Sequence, residues 1–379
     1  MRVAIVVPYF TPYVRGNEFG LADGLSRLGV DVTVLASTGK APREKMVSDN
    51  GNVNQSLRFD VKYLHTLCDV GEIPLVPSIG REIGSGDYDA VLLQEDYQLI
   101  CHMAYLATHW KKTPTILSTE RTYFPAGNKR LVLSLFDATL NKMVRRGATA
   151  YTAHCAAAKE FAEKELKVPA GRIKVINVGV DTSLFKPAAG ETPLKDGDLK
   201  ILTVARLHPY KGLDHLIRAM ETVKKSRPGA VLYIMGRGPA AGDLKALVSK
   251  MKLSDAVRFV ETPVPNYEMP PVYGSADLYV QPSIVEPYGI AVLEAMACGK
   301  PTICTRVGGM KDTVDDHATG LLVKPADPGA LSDAIVELSK DRTEMVRMGA
   351  RARERAVKKF DWPVIAGEYK KLLDEIVRR

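Results

Sequence analysis

Ile201–Asp214 reads ILTVARLHPYKGLD, and its reading decides the fold. The apolar and β-branched run Ile201–Ala205 suits a strand buried on both faces. A cationic loop containing Pro209 follows, and Asp214 opens a run to Lys225 with apolar residues at helical spacing. Strand, loop and helix in so short a space predict a βα unit of a parallel sheet. The unit is a fresh start, because Lys186–Lys200, KPAAGETPLKDGDLK, is rich in proline, glycine and charge and reads as an exposed linker.

The same alternation extends outward on both sides. Downstream, strands are predicted at Val231–Met235, Arg258–Val260, Leu278–Gln281 and Thr302–Cys304, with helices at Asp243–Lys250, Ile290–Cys298, Ala330–Leu338, Arg342–Lys359 and Asp361–Val377. Upstream, strands are predicted at Val3–Val7, Val32–Ala36, Ala90–Gln94, Thr115–Ser118, Thr149–Thr152 and Lys174–Asn177, and amphipathic helices at Phe19–Leu28 and Val132–Val144. A length of 379 residues also suits two domains. The expectation is an α/β chain of two Rossmann-like, doubly wound domains, residues 1–185 and 186–360, whose strand ends face a common cleft.

Composition bounds the function classes. With 46% hydrophobic and 25% charged residues the chain is of ordinary globular character, and no apolar run approaches the ~20 residues of a membrane span. The opening MRVAIVVPYFTPYV is interrupted by Pro8 and Pro12 and lacks a cleavage site, so it reads as a buried strand. The cysteines, Cys68, Cys101, Cys155, Cys298 and Cys304, are odd in number and lack paired spacing, which suits a reducing cytoplasm. The net charge of +8 is compatible with nucleic acid, an anionic membrane or a phosphorylated substrate and does not choose among them.

The chemistry concentrates at two loops. Arg206 stands just beyond a predicted strand and Lys211 just before a helix; two cations there suit a diphosphate, the guanidinium as a planar fork and the ammonium as a point charge. Read alone they fit two solvated surface cations equally well. In Pro282–Gly299, PSIVEPYGIAVLEAMACG, Pro287 and Gly289 mark a turn and Ile290 begins a helix ended by Gly299. Glu286 lies ahead of that helix, Glu294 lies within it, and the amides near Gly289 and Ile290 form a ready anion site.

At these residues the chain resembles the retaining glycosyltransferases of GT-B fold, family 4 (glycosyl transferases group 1). The resemblance rests on R-L-x-x-x-K-G at Arg206–Gly212, on Glu286-x7-Glu294, on GRGP at Gly236–Pro239, on VGG at Val307–Gly309, on GVD-x-x-x-F at Gly179–Phe185 and on TGLLV at Thr319–Val323. It implies that Arg206 and Lys211 grip a donor diphosphate, that Glu286 faces the sugar hydroxyls and Glu294 the ribose, and that helix 361–379 returns to the first domain. The implied substrate-binding set adds Gly236, Arg237 and Val264 to Pro287, Tyr288, Gly289 and Ile290. The chain departs from the family at three places: the glycine pair of the first loop is Gly16-Asn17, which carries over only Gly16; Glu120 in STER stands where many members have histidine; and P-N-G-V-D is N-V-G-V-D at Asn177–Asp181.

Rival patterns fail on spacing or position. GRGPAAG at Gly236–Gly242 resembles a dinucleotide fingerprint, but its third glycine comes one residue late and Pro239 sits in the turn, against an NAD-dependent oxidoreductase. Asp87-Tyr88-Asp89 matches the D-x-D of metal-nucleotide sites yet lies at the entrance of a strand, opposite the ligand end. No histidine or cysteine has zinc spacing, so neither a metal nor another cofactor is expected. Lysine and arginine are dispersed without nucleic-acid-binding motifs.

The expected reaction has an oxocarbenium-like transition state with charge growing on the diphosphate, stabilised by Arg206, Lys211 and the amides near Gly289 and Ile290. The resemblance implies front-face attack with the leaving phosphate as base and no side-chain nucleophile; Glu286 and Glu120 stand near the reacting sugar. The expected partners are a nucleotide-sugar donor and an unidentified acceptor, with no nucleic acid. In 128–146 the apolar residues Val132, Leu135, Phe136, Leu140 and Met143 recur at helical spacing between Lys129, Arg130, Lys142, Arg145 and Arg146, a pattern that suits a core-packing helix with a solvated basic face or, alternatively, weak, salt-sensitive attachment to anionic membranes.

Overall fold

A computed structural model describes residues 1–12, 16–39, 57–69, 72–124, 128–187, 193–262 and 264–378. Tyr13 and Val14 of the opening stretch and 188–192 of the expected linker lie outside the described residues. The chain divides into two compact units, Met1–Gly179 with Trp362–Arg379, and Val180–Asp361. The division falls before Val180 because the Val180 N–H donates to the Phe360 carbonyl (2.7 Å) and the Thr182 N–H to Asp361 Oδ1 (3.1 Å), tying this segment to the second unit.

The first unit opens with β1 (Arg2–Val6), α1 (Asn17–Arg27), β2 (Asp31–Ser37) and β3 (Asp60–Leu64), then a short antiparallel pair, β4 (Cys68–Asp69) and β5 (Pro74–Leu75). It continues through α2 (Ile79–Ser85), β6 (Ala90–Gln94), α3 (Leu99–Lys111), β7 (Thr115–Thr119), α4 (Asn128–Ala138) and α5 (Leu140–Gly147). β8 (Ala150–Ala153), α6 (Ala156–Lys164) and β9 (Ile173–Val175) complete the sheet. Its order is β3-β2-β1-β6-β7-β8-β9, all parallel. β1 from Val3 to Val6 and β6 from Ala90 to Leu93 are buried and apolar, as suits strands covered by helices on both faces, and the buried Gln94 ends β6. β3, DVKYL, was not anticipated: it is an edge strand with largely exposed side chains and no apolar period to announce it.

The second unit runs β10 (Leu199–Val204), α7 (Leu213–Ser226), β11 (Ala230–Met235), α8 (Ala241–Lys250), β12 (Val257–Val260) and α9 (Met269–Ser275). β13 (Leu278–Gln281), α10 (Ile290–Ala297), β14 (Thr302–Thr305), α11 (Met310–Thr313), β15 (Gly320–Val323), α12 (Pro328–Ser339) and α13 (Arg342–Phe360) follow. The sheet order β12-β11-β10-β13-β14-β15 is again all parallel. The order reverses between β10 and β13, the switch point where loops part to leave a crevice at the strands' carboxyl ends. Leu216, Ile217, Met220 and Val223 of α7 pack on Ile201, Leu232 and Ile234 in the core beneath it.

The last helix, α14 (Trp362–Val377), belongs to the first unit and packs on α1. Glycines make the seat. A Cβ on Gly20 would lie 1.9 Å from Trp362 Cε2, and one on Gly24 2.7 Å from Ala366 Cβ. The single helix expected over Val132–Val144 is two, because Thr139 leaves helical geometry (φ −120°, ψ −99°) while its hydroxyl donates back to the Leu135 carbonyl at 2.8 Å.

Candidate active site

The loop after β10 and the loop after β13 flank the switch point of the second unit and are stitched together. The N–H groups of Ile284 and Val285 donate to the Tyr210 carbonyl at 2.9 and 3.2 Å. Gly212, at φ 63°, permits the close approach: a Cβ there would sit 2.2 Å from the Pro282 carbonyl. Between the loops, Lys211 Nζ donates to Glu286 Oε2 at 2.6 Å, with the two side chains 12% and 9% exposed. The same carboxylate oxygen accepts from Ser283 Oγ at 3.0 Å and from Gln281 Nε2 at 3.5 Å, and Gln281 is oriented by the Tyr279 hydroxyl at 2.6 Å. Arg206 is exposed; its guanidinium and the Lys211 ammonium lie 5.9 and 5.4 Å from the Tyr210 ring centroid.

Pro287 and the buried Tyr288 lead to Gly289, the left-handed (φ 91°) start of α10, where no side chain caps the helix. The Val292 N–H already donates to the Gly289 carbonyl at 2.9 Å, so the first-turn donors left to face a ligand are the amides of Ile290 and Ala291. A Cβ on Gly289 would meet Glu286 Cγ at 3.7 Å, so the helix start abuts the Lys211–Glu286 pair. The VGG turn closes against it: a side chain on Gly308 (φ 49°) would strike the Glu286 carbonyl at 1.6 Å. An opposing pair of charges beside an anion-seeking helix end can release a cation to a diphosphate and a carboxylate to hydroxyls in one exchange.

The other expected residues of the second unit lie on α10 and on the loops after β11 and β12. Gly236 (φ 144°) follows β11 and passes the Ala205 carbonyl where a Cβ would come within 2.0 Å. Arg237 is exposed, donates from Nε to the Glu261 carbonyl, and accepts the Leu207 N–H at its own carbonyl (2.8 Å). Val264 is half-buried in the loop after β12. Glu294 is held inside α10 by the Tyr273 hydroxyl (2.6 Å) and Asn266 Nδ2 (3.0 Å). Tyr210, Ser283, Gln281 and Tyr273 were not anticipated; each is an ordinary polar residue whose role comes from its partner.

Two expected residues belong to the first unit. Gly16 begins α1 in extended geometry, its carbonyl accepting the Gly20 N–H at 3.1 Å. Glu120 is exposed directly after β7, and its N–H donates to Glu95 Oε1 at 2.9 Å. Its neighbour Arg121 is buried, forked onto Asp137 through two 2.9 Å hydrogen bonds and 3.5 Å from Asp96. Arg145 joins the same cluster through Asp96 and Asp137 and is buried, so it does not join the exposed basic residues expected of 128–146. These cations hold the Asp137 carboxyl down at about 2 despite its burial. Asp89 of the D-x-D accepts the Arg2 N–H at 2.7 Å, at the strands' entrance edge.

Residues 187–355 match the family described as Glycosyl transferases group 1, and residues 19–184 match Glycosyltransferase Family 4. A GDP-mannose-dependent alpha-(1-6)-phosphatidylinositol monomannoside mannosyltransferase of Mycobacterium tuberculosis is 32% identical over 219 residues, 53% of this chain and 55% of that protein. A D-inositol 3-phosphate glycosyltransferase of Nocardia farcinica is 34% identical over 203 residues, 50% of this chain and 45% of that protein. The chain thus spans about half the length of the curated relatives it matches. Among solved structures, Anabaena HepE in complex with UDP superposes with a TM-score of 0.78 at 19% identity, covering 99% of this chain and 100% of that one. Sucrose-phosphate synthase from Thermosynechococcus elongatus superposes with 0.77 at 20%, covering 100% and 99%.

Proposed function

The chain belongs to the group 1 glycosyltransferases of GT-B fold, and on that premise we propose that it moves a sugar from a nucleoside-diphosphate donor to a hydroxyl acceptor with retention of configuration. The donor is a UDP- or GDP-sugar. The acceptor is a glycan, a lipid-linked sugar or a glycolipid precursor, in keeping with relatives named for inositol phosphate and phosphatidylinositol mannoside substrates.

One observation carries the reading: Lys211 and Glu286 meet at 2.6 Å against the uncapped start of α10, at the switch point of the second sheet. A donor diphosphate entering there draws Lys211 away from Glu286, takes Arg206 and the first-turn amides of α10 as further donors, and leaves the carboxylate to the sugar hydroxyls. As the glycosidic bond breaks, these groups hold the charge that grows on the leaving diphosphate, work that a divalent metal performs in other enzymes. The acceptor hydroxyl attacks the face the diphosphate leaves and gives up its proton to it, so no side chain acts as nucleophile. Glu294 takes the ribose, and Glu120 of the first unit takes the acceptor side.

Thermal shifts with UDP-glucose, GDP-mannose and related nucleotide sugars test the donor claim, because a ligand at ~100 times its Kd adds ~2.7 kcal/mol. Nucleotide release with D-inositol 3-phosphate and with phosphatidylinositol mannoside tests the acceptor, and the anomeric NMR coupling of the product tests retention. No shift with any nucleotide sugar would refute the reading.

The protein also attaches peripherally to the cytoplasmic face of anionic membranes. Leu135, Leu140 and Met143 of the α4–α5 pair stand 66%, 39% and 38% exposed, beside exposed Lys142 and Arg146, a composition suited to an anionic interface. The side chains of Lys129 and Val132 lie outside the described residues. Among the described residues no helix is long and apolar enough to cross a membrane.

A further inference from the structure

The first unit carries a strained acid that the proposed reaction does not use. Glu95 leaves the end of β6 with φ 76°, a left-handed conformation that side-chain-bearing residues hold only where their surroundings over-determine it. Its N–H donates to the Ser118 carbonyl of β7 at 3.1 Å, and its Oε1 accepts the Glu120 N–H at 2.9 Å. Oε2 is buried and has no hydrogen-bond partner among the described residues. β6 and β7 run parallel, so Glu95 and Glu120 emerge together at the carboxyl edge, where such sheets hold their ligands.

We propose that Glu95 is the positioning residue for Glu120: from its left-handed strand end it clasps the Glu120 amide and so sets where the Glu120 carboxylate stands toward the acceptor. The inference rests on the glycosyltransferase reading above. The clasp brings acids together, for Glu120 faces Glu95 from the loop after β7 and Asp96 follows it in the chain. Arg121 is the countercharge within reach, and its guanidinium is already forked onto Asp137. Glu95 also feels Tyr97, Cys101, Tyr151 and Tyr369 of α14, all of which burial holds in their neutral forms. Burial, followed by the charges of Glu120 and Asp96, pushes the Glu95 carboxyl well above the usual carboxylate range. As the neutral acid it accepts the Glu120 amide without adding a charge to this edge. As pH rises through its raised value, the bond to the Glu120 N–H gains charge assistance while the new carboxylate repels the side chains of Glu120 and Asp96, and this repulsion drives the Glu120 carboxylate from its place.

The test compares wild type, Glu95→Gln and Glu95→Ala by hydrogen exchange at the Glu120 amide and by nucleotide release from GDP-mannose or UDP-glucose, between roughly pH 6 and 10, a window that brackets buried glutamates. Glu95→Gln keeps a neutral oxygen acceptor in place, so it retains amide protection and neutral-pH turnover and loses the alkaline fall of the wild type. Glu95→Ala loses the protection, and turnover drops on the order of tenfold or more through misplacement of Glu120, with KM for donor unchanged. Wild-type amide protection in Glu95→Ala, or a wild-type alkaline fall in Glu95→Gln, overturns the assignment. If wild type releases nucleotide from neither donor, the transferase reading fails while amide exchange still decides the clasp.

Discussion

Replacing Lys211 by alanine separates the catalytic from the structural part of the donor edge. The substitution deletes the cation 2.6 Å from Glu286 and leaves a carboxylate that is 9% exposed. Stranding one member of a fully buried pair costs ~3–5 kcal/mol. Ser283 Oγ and Gln281 Nε2 still donate to Glu286, and each such bond to a charged group recovers part of that, which puts the expected loss nearer ~1–3 kcal/mol. For a unit of this size that is a drop in Tm of several degrees, at ~2–4 °C per kcal/mol. Turnover falls further, by ~100- to 1000-fold, because a preorganised donor to the leaving diphosphate is gone. The double variant Lys211→Ala/Glu286→Gln removes the stranded charge, so it regains melting temperature and stays inactive. Differential scanning fluorimetry and steady-state nucleotide release at saturating donor read both quantities. Full kcat in Lys211→Ala would refute the role of Lys211, and a double variant no more stable than the single would refute the ion-pair argument.

Further expectations are independent of that one. Turnover persists in excess EDTA; loss of turnover with restoration by Mg²⁺ or Mn²⁺ would require a metal in the reaction. Gly20→Ala drives a methyl into the Trp362 ring and should lower the stability of the first unit by ~1–3 kcal/mol, read by chemical denaturation, with nucleotide-sugar affinity of the second unit unchanged. Burial of His154 lowers it from 6.5 to about 4, so the unfolded chain binds the extra proton between these values. Stability therefore declines as pH falls through that window, by roughly 3 kcal/mol at its lower end, and His154→Asn should flatten the slope in urea titrations. Co-sedimentation with anionic vesicles at low salt should weaken in Lys142→Glu/Arg146→Glu and in Leu135→Ser; an equal pellet for all variants at all salt concentrations would dismiss the membrane face.

Much of the fold was legible because parallel strands buried on both faces are written as short apolar runs. Ala90–Gln94 and Leu278–Gln281 were delimited to the residue, and Arg206, Lys211 and Gly289 could be placed at strand and helix ends by punctuation alone. Local pattern failed where a residue's state depends on a distant partner. β3 pairs along the sheet edge with exposed side chains, and the helix break at Thr139 turns on a single hydroxyl. Arg145 looks like a solvated cation in the sequence, but Asp96 and Asp137 draw it inside. The sequence by itself determined the βα rhythm, the two sheets and which loops bear charge, since these follow from periods of two and 3.6 residues and from turn chemistry. Only the tertiary structure decided that Lys211 meets Glu286, that α14 seats on the glycines of α1, and that Glu95 is strained beneath Glu120. Each of these is a contact between segments far apart in the chain, where packing and charge neutralisation select a geometry that local propensity does not encode.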